Sequence, residues 1–189
     1  MKIVLASKSP RRKELLSELI KDFEIITKEV DESFSDYIHP REGVEILAVR
    51  KGKAVADELS GDTLVISSDT LVELGGIPLG KPADEAEAID MLTSLSGKAH
   101  NVHTGVAVHY KGKVYSGVAT TAVYFRKISQ DEIIEYVKSG DPMDKVGAYG
   151  IQSGDGKFVE KIDGDYDTVV GLSMNLVKKL IDDVKRGLN

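Results

Sequence analysis

Asp69 sits in Ser67-Ser68-Asp69-Thr70, directly after the apolar run Leu64-Val65-Ile66. A carboxylate delivered by a buried strand stands where open α/β sheets present ligands and catalytic groups, and its oxygens can take a proton from water or hold a hard cation. A lone aspartate in such a place is more often a turn former. Asp31-Glu32, after a second short apolar segment, adds carboxylate oxygens suited to a divalent ion that also touches phosphates.

Basic residues supply the complementary charge. Ser7-Lys8-Ser9-Pro10-Arg11-Arg12 opens a helical pattern, with Ser9 fit to cap it and Pro10 at its first position. Arg11 and Arg12 in a first turn oppose the helix macrodipole, and a bound anion would relieve both charges. The segment therefore reads as a phosphate site, against the plainer alternative of a capped helix with exposed arginines. Lys51, with Lys53 as a competitor on the same helix, and Lys81 in Gly80-Lys81-Pro82 are further cations of the kind a polyphosphate needs. Gly147-Ala148-Tyr149-Gly150-Ile151-Gln152 joins small residues that admit close backbone approach to a Tyr149 stacking face and the Gln152 amide. That chemistry suits a nucleobase, and a packed loop with turn glycines is its structural alternative. No P-loop and no dinucleotide-binding glycine motif occurs, and the four histidines lack zinc-ligand spacing.

Alternating strands and helices must position these groups. A strand is expected over residues 2–6, then a polar loop and a helix from Arg11 through Leu15, Leu16, Leu19 and Ile20. A second strand over 23–27, a loop over 31–41 and a helix over 43–59 follow. Gly52 inside that helix costs about 1 kcal/mol relative to alanine and leaves the register of Lys51 and Lys53 open. Residues 63–74 contain a buried strand that ends at Ser67-Ser68-Asp69-Thr70, with Gly75-Gly76 as a hairpin turn. Residues 84–95 form a helix closed by Ser96-Gly97, residues 101–110 and 114–125 a long antiparallel hairpin, and Ser129 caps a helix over 131–138. Residues 140–157 hold five glycines and no regular period, and a strand near 158–162 and a helix over 173–186 complete the pattern.

A chain of 189 residues, 41% apolar throughout, suits one domain spanning 1–189. No apolar stretch approaches the roughly 18 to 20 residues of a membrane span, and charge appears too early in Met1-Lys2-Ile3 for a signal peptide, so a soluble cytoplasmic protein is expected. The absence of cysteine removes disulfides, thiolate catalysis and cysteine-bound zinc. A net charge of −6 disfavours nucleic acid as a partner.

Ser7-x-Ser9-Pro10-Arg11-Arg12, Leu47-Ala48-x-x-Lys51, Ser68-Asp69-Thr70, Gly80-Lys81-Pro82, Leu95-Ser96-Gly97 and the run from Gly147 to Gln152 together resemble the Maf proteins, in order and spacing, over residues 3–176. Ser67 stands where many members have glycine. The resemblance implies an elongated, two-lobed α/β fold with a twisted mixed β-sheet and a central cleft, similar to inosine-triphosphate pyrophosphatases. It implies hydrolysis of nucleoside triphosphates to monophosphate and pyrophosphate, and a homodimer, for which the valine-rich hairpin offers an apolar face. By motif, Asp69 becomes the proton acceptor, Glu32 a metal-site acid, Lys51 and Lys81 phosphate contacts, and Arg12, Thr70 and Gln152 positions tied to substrate choice.

The expected reaction is in-line attack of water on the α-phosphorus with Asp69 as base. Mg²⁺ or Mn²⁺ at Glu32 and Asp69 bridges phosphates, Arg11, Arg12, Lys51 and Lys81 neutralise charge, and Ser7 and Ser9 complete the phosphate loop. The segment from Ala148 to Gln152 resembles the family branch that takes dTTP and UTP rather than the one that prefers 7-methyl-GTP, and Gln152 can pair with the O4 and N3–H edge of a pyrimidine. Two rivals remain open: a nucleotide-binding regulator of septum formation without turnover, and a phosphatase with Asp69 as nucleophile. The second lacks the paired acid two residues on.

Overall fold

The computed structural model describes residues 1–152 and 157–187. Its strands are β1 (Lys2–Leu5), β2 (Glu24–Ile25), β3 (Thr63–Leu74), β4 (Ile77–Leu79), β5 (Ala99–Tyr110), β6 (Lys113–Phe125) and β7 (Val159–Asp163). Its helices are α1 (Pro10–Leu19), α2 (Pro40–Ala56), α3 (Glu85–Leu95), α4 (Gln130–Lys138), α5 (Tyr166–Val170) and α6 (Met174–Arg186). Among the described residues the strands form one mixed sheet in the order β2-β1-β3-β5-β6-β7, with β4 paired to β3. The chain divides into two compact units, one of Met1–Thr70, Thr104–Ala119 and Gly171–Asn189, the other of Leu71–His103 and Thr120–Val170.

In the first unit β1 runs parallel to both β2 and β3, with Leu5 opposite Ile25 and Ile66. Parallel neighbours need crossovers, and α1 and α2 supply them. Val4, Leu5, Leu64, Val65 and Ile66 are fully buried, as expected of strands covered on both faces. Ser9 caps α1, its hydroxyl accepting from the Arg12 amide, and the helix buries Leu15 and Leu16. Helix α2 begins at Pro40, earlier than its apolar periodicity suggests, because His39 caps it through Nδ1 and Pro40 fills the first position.

Glycines set how closely α2 is packed. A Cβ on Gly105 of β5 would lie 2.3 Å from the Val44 carbonyl oxygen, and one on Gly52 would lie 2.4 Å from Ser67 Oγ and 2.5 Å from the His109 ring. Gly52 is thus no defect of the helix but its point of closest approach, which fixes the register that the sequence leaves open. Ser67 Oγ donates to the Ala48 carbonyl at 2.7 Å and ties the helix to β3.

The expectation that the strand ends at Ser67-Ser68-Asp69-Thr70 is corrected: β3 continues to Leu74. Ser67 and Ser68 are fully buried, and carbonyls of Ala48 and Gly171 accept from their hydroxyls, so nothing forces the polar run out of the strand.

In the second unit Phe125, Tyr136, Tyr149 and Phe158 pack edge to face or tilted with Leu92, Leu95 and Ile133 around them. Asp84 caps α3, and Ser129 with Glu132 forms a capping box on α4. Gly75 and Gly76, with φ of 59° and 86°, turn β3 into the antiparallel β4. Within the glycine-rich stretch, short 3-10 turns cover Asp141–Asp144 and Val146–Ala148, while residues 153–156 lie outside the described residues. The five-residue α5 has no counterpart in the sequence reading. It follows Gly164, which has φ of 127° and lies so close to Thr121 that a Cβ there would not fit.

Candidate active site

Strand β1 accompanies β3 only as far as Ile66, so Asp69 lies beyond the last β1 pairing. Lys51, one turn along α2 from Ala48, reaches it: Lys51 Nζ donates to Asp69 Oδ1 at 2.6 Å and also meets Glu32 Oε1 at 2.8 Å. The Lys51 and Asp69 side chains are 18% and 13% exposed, Glu32 68%. Lys53 points elsewhere and pairs with Asp57 in the same helix. Asp31 caps its own turn by accepting from the Ser33 amide, which holds its carboxyl below the usual range. Arg50 donates to the carbonyls of Asp31 and Ser33, fixing the loop that carries Glu32.

Arg12 forms the second part of the cluster. Its Nε donates to the Gly171 carbonyl at 2.8 Å, one terminal nitrogen to Thr70 Oγ1 at 3.1 Å and the other to Ser7 Oγ at 3.4 Å. Burial pushes the guanidinium below the ordinary arginine value, and the Asp69 carboxylate works against that shift. Ser68 Oγ donates to the same Gly171 carbonyl, and Thr70 Oγ1 lies 3.0 Å from Thr104 Oγ1. Ser7 Oγ accepts from the Ser9 amide. The first unit therefore gathers Ser7, Ser9, Arg12, Glu32, Lys51, Asp69 and Thr70, with Arg11 beside Arg12 in the same helix turn.

Sequence reasoning missed Gly171 and Thr104, and gave Ser68 of the Ser68-Asp69-Thr70 motif no role of its own. Gly171 has φ of 130°, and a Cβ there would lie 3.5 Å from Arg12 Nε and 3.6 Å from Thr70 Oγ1. Its contribution is a backbone carbonyl, which every residue carries, so only the glycine itself could have hinted at it.

Lys81 and Gln152 belong to the second unit, both exposed and without a hydrogen bond or ion pair among the described residues. Their segments are joined, since the Gly147 amide donates to the Gly80 carbonyl at 2.9 Å. Gly147 has φ of 68° and lies against the Val72 side chain. The reading of Tyr149 as a stacking face for a base is corrected: it is 5% exposed, packed against Phe125, with its hydroxyl 2.7 Å from His100 Nε2. An aromatic ring in a loop lowers free energy more by filling the core than by waiting in solvent.

His100 is buried, and its Nδ1 has no hydrogen-bond partner among the described residues. Burial pushes its pKa down from 6.5 to about 4 and pushes that of Tyr149 up. Because the folded value is depressed, the unfolded chain binds the proton first as pH falls. Stability is complete above pH 6.5 and declines toward pH 4, by up to about 3 kcal/mol. Urea unfolding at about pH 7 and about pH 4.5 checks this, with His100→Gln expected to flatten the difference. An equal slope in the variant would assign the effect to other groups.

As to metals, Asp69 Oδ1 and Glu32 Oε1 already share one cation, the Lys51 ammonium. An all-oxygen pair so placed fits a divalent ion held through one or two carboxylates together with substrate phosphates. Among the described residues no group of three or more His, Cys, Asp or Glu gathers that could hold an ion alone.

This α/β architecture is similar to that of the Staphylococcus aureus Ham1 protein, with a TM-score of 0.57 at 18% identity over 97% of this chain and 100% of the other. The similarity concerns the fold. The Maf-like protein family model matches residues 2–184, and the chain belongs to the Maf family. Among similar relatives, a dTTP/UTP pyrophosphatase of Thermococcus kodakarensis is 46% identical over 178 residues, 94% of each chain. One of Bacillus cereus is 48% identical over 180 residues, 95% of this chain and 94% of the relative.

Proposed function

We infer that the protein hydrolyses nucleoside triphosphates, dTTP and UTP foremost, to the monophosphate and pyrophosphate. The observation that carries this reading is the Asp69-Lys51-Glu32 chain beside the Arg12-Thr70 pair, in a member of a family whose similar relatives are named for that reaction.

Lys51 occupies Asp69 Oδ1, while Oδ2 has no hydrogen-bond partner among the described residues and is the oxygen to accept a proton from the attacking water. Ser7, Ser9 and the α1 amides form the anion-facing end of a helix, with Arg11, Arg12 and Lys51 balancing phosphate charge, while Lys81 is assigned to phosphate by the family motif alone. The bonds of Arg12 to Thr70, Ser7 and Gly171 orient its remaining N–H groups. Mg²⁺ or Mn²⁺, held by Asp69 and Glu32, would supply charge neutralisation on the phosphates. Pyrophosphate release measured over a panel of triphosphates with Mg²⁺ tests the reading, and no release from any of them rejects it.

Gln152 is assigned to the base edge. Removing a hydrogen-bonding side chain from such a site costs about 1 to 3 kcal/mol, so Gln152→Ala should narrow the kcat/KM preference for dTTP and UTP over GTP by roughly 5- to 150-fold. Its exposed position predicts an unchanged Tm. An unaltered preference would remove Gln152 from base selection, and a tenfold advantage of 7-methyl-GTP in the unmutated protein would reverse the branch assignment.

The same reading makes residues 1–189 one working pyrophosphatase domain, each unit being assembled from non-contiguous segments. It acts on free nucleotides in the cytoplasm rather than on nucleic acid, in keeping with its net charge of −6. None of the helices among the described residues is long and apolar enough to cross a membrane. The homodimer belongs to this reading through the family resemblance alone, since Val114 is the one large hydrophobic of the hairpin exposed among the described residues. Light scattering at micromolar concentration should give twice the chain mass of 20.5 kDa, and a monomer would remove the dimer.

A further inference from the structure

Lys51 is placed unusually for a phosphate ligand, because its ammonium is engaged on both sides by acids, 2.6 Å from Asp69 Oδ1 and 2.8 Å from Glu32 Oε1. Two carboxylates brought together repel one another, and a third charge of opposite sign between them removes the repulsion. A divalent ion bound by the same two oxygens would face the ammonium at close range, so the two cations cannot share the place.

We propose that Lys51 is a resident cation that holds the position between Asp69 and Glu32 until nucleotide arrives, so that the divalent ion enters only with the phosphates that draw the ammonium away. This rests on the reading that these carboxylates hold the metal. The Glu32 side chain is 68% exposed, where its ion pair to Lys51 contributes little, whereas Lys51 and Asp69 are mostly covered. The phosphate oxygens of a triphosphate replace both lost carboxylate contacts of the lysine. The consequence is an order of binding. Metal alone binds weakly, which keeps the two acids from retaining an ion after product leaves.

The test is titration of the nucleotide-free protein with Mn²⁺ alone, followed by calorimetry and water-proton relaxation. Lys51→Met is expected to bind Mn²⁺ at least about tenfold more tightly than the unmutated protein, because a positive charge has left the site. Lys51→Arg keeps a charge there and should bind as weakly as the unmutated protein. Adding Glu32→Gln to Lys51→Met should abolish the gain, locating the ion at these carboxylates. Equal or weaker Mn²⁺ binding by Lys51→Met overturns the proposal. So does an unmutated protein that by itself holds one Mn²⁺ at about 10⁻⁵ M or tighter, lost in Glu32→Gln, a result that needs no lysine variant. If no triphosphate is cleaved but Lys51→Met still gains Mn²⁺ affinity, the pyrophosphatase reading fails and the resident-cation role stands. Cleavage with no gain has the opposite meaning.

Discussion

Asp69→Asn is expected to lower kcat for pyrophosphate release by at least about 10²-fold while leaving the fold intact. The substitution keeps size and shape, and the asparagine carbonyl can still accept from Lys51 Nζ, which lies 2.6 Å from the present Oδ1. What is lost is the negative charge and the oxygen able to take a proton. Arg12 retains its bonds to Gly171, Thr70 and Ser7, none of which involves Asp69. Steady-state kinetics with dTTP, alongside circular dichroism and Tm, measure both halves. A correctly folded Asp69→Asn protein with near-normal turnover would show that another group accepts the proton.

Gly105→Ala should be among the most destabilising single-methyl changes in the molecule. The added Cβ would meet the Val44 carbonyl oxygen at 2.3 Å, its carbon at 2.6 Å and the Glu45 amide nitrogen at 2.9 Å. All three are helix backbone and cannot rotate aside, so α2 must shift bodily. Overpacking of this kind costs about 3 kcal/mol, which in a chain of this size lowers Tm by roughly 6 to 12 °C. Because the Ser67-Ala48 bond and Lys51 ride on the same helix, activity at low temperature should fall as well. Thermal unfolding decides it, and a Tm within about 2 °C of the unmutated protein would mean that the helix and strand separate at little cost.

The alternation of strand and helix is legible in the sequence wherever burial imposes a period. Leu15 and Leu16 announce α1, the apolar run at Leu64-Val65-Ile66 announces β3, and Ser9, Asp84 and Ser129 announce helix starts because capping is local chemistry. Asp69, Arg12 and Lys51 stand out in the sequence as an acid and cations in short motifs, yet Asp69 lies within β3 rather than at its end and Lys51 lies within α2, so their meeting is visible only in the fold. What the sequence hides is satisfied at long range. Ser67 and Ser68 look like a loop because the carbonyls of Ala48 and Gly171 that accept from them lie far away in the chain. Gly52 looks like a flaw until Ser67 and His109 are seen against it. Tyr149 looks available for a ligand because nothing local says that His100 and Phe125 surround it. Arg12 illustrates both sides, its place in α1 being local and its anchor at Gly171 not.

That anchor carries a consequence for synthesis. Arg12 and Gly171 are separated by 159 positions, and contacts of such span form late because a long loop must close first. On the ribosome, at about 5 to 20 residues per second, roughly 8 to 30 seconds pass between the emergence of the two. During that interval α1 can form and β1 can pair with β3, yet the guanidinium that braces Thr70 lacks its carbonyl. The nascent protein is therefore nearly complete before its phosphate-facing arginine is held in place, and a chain interrupted short of Gly171 would carry the acid and the lysine of the site without the brace that aims the third charge.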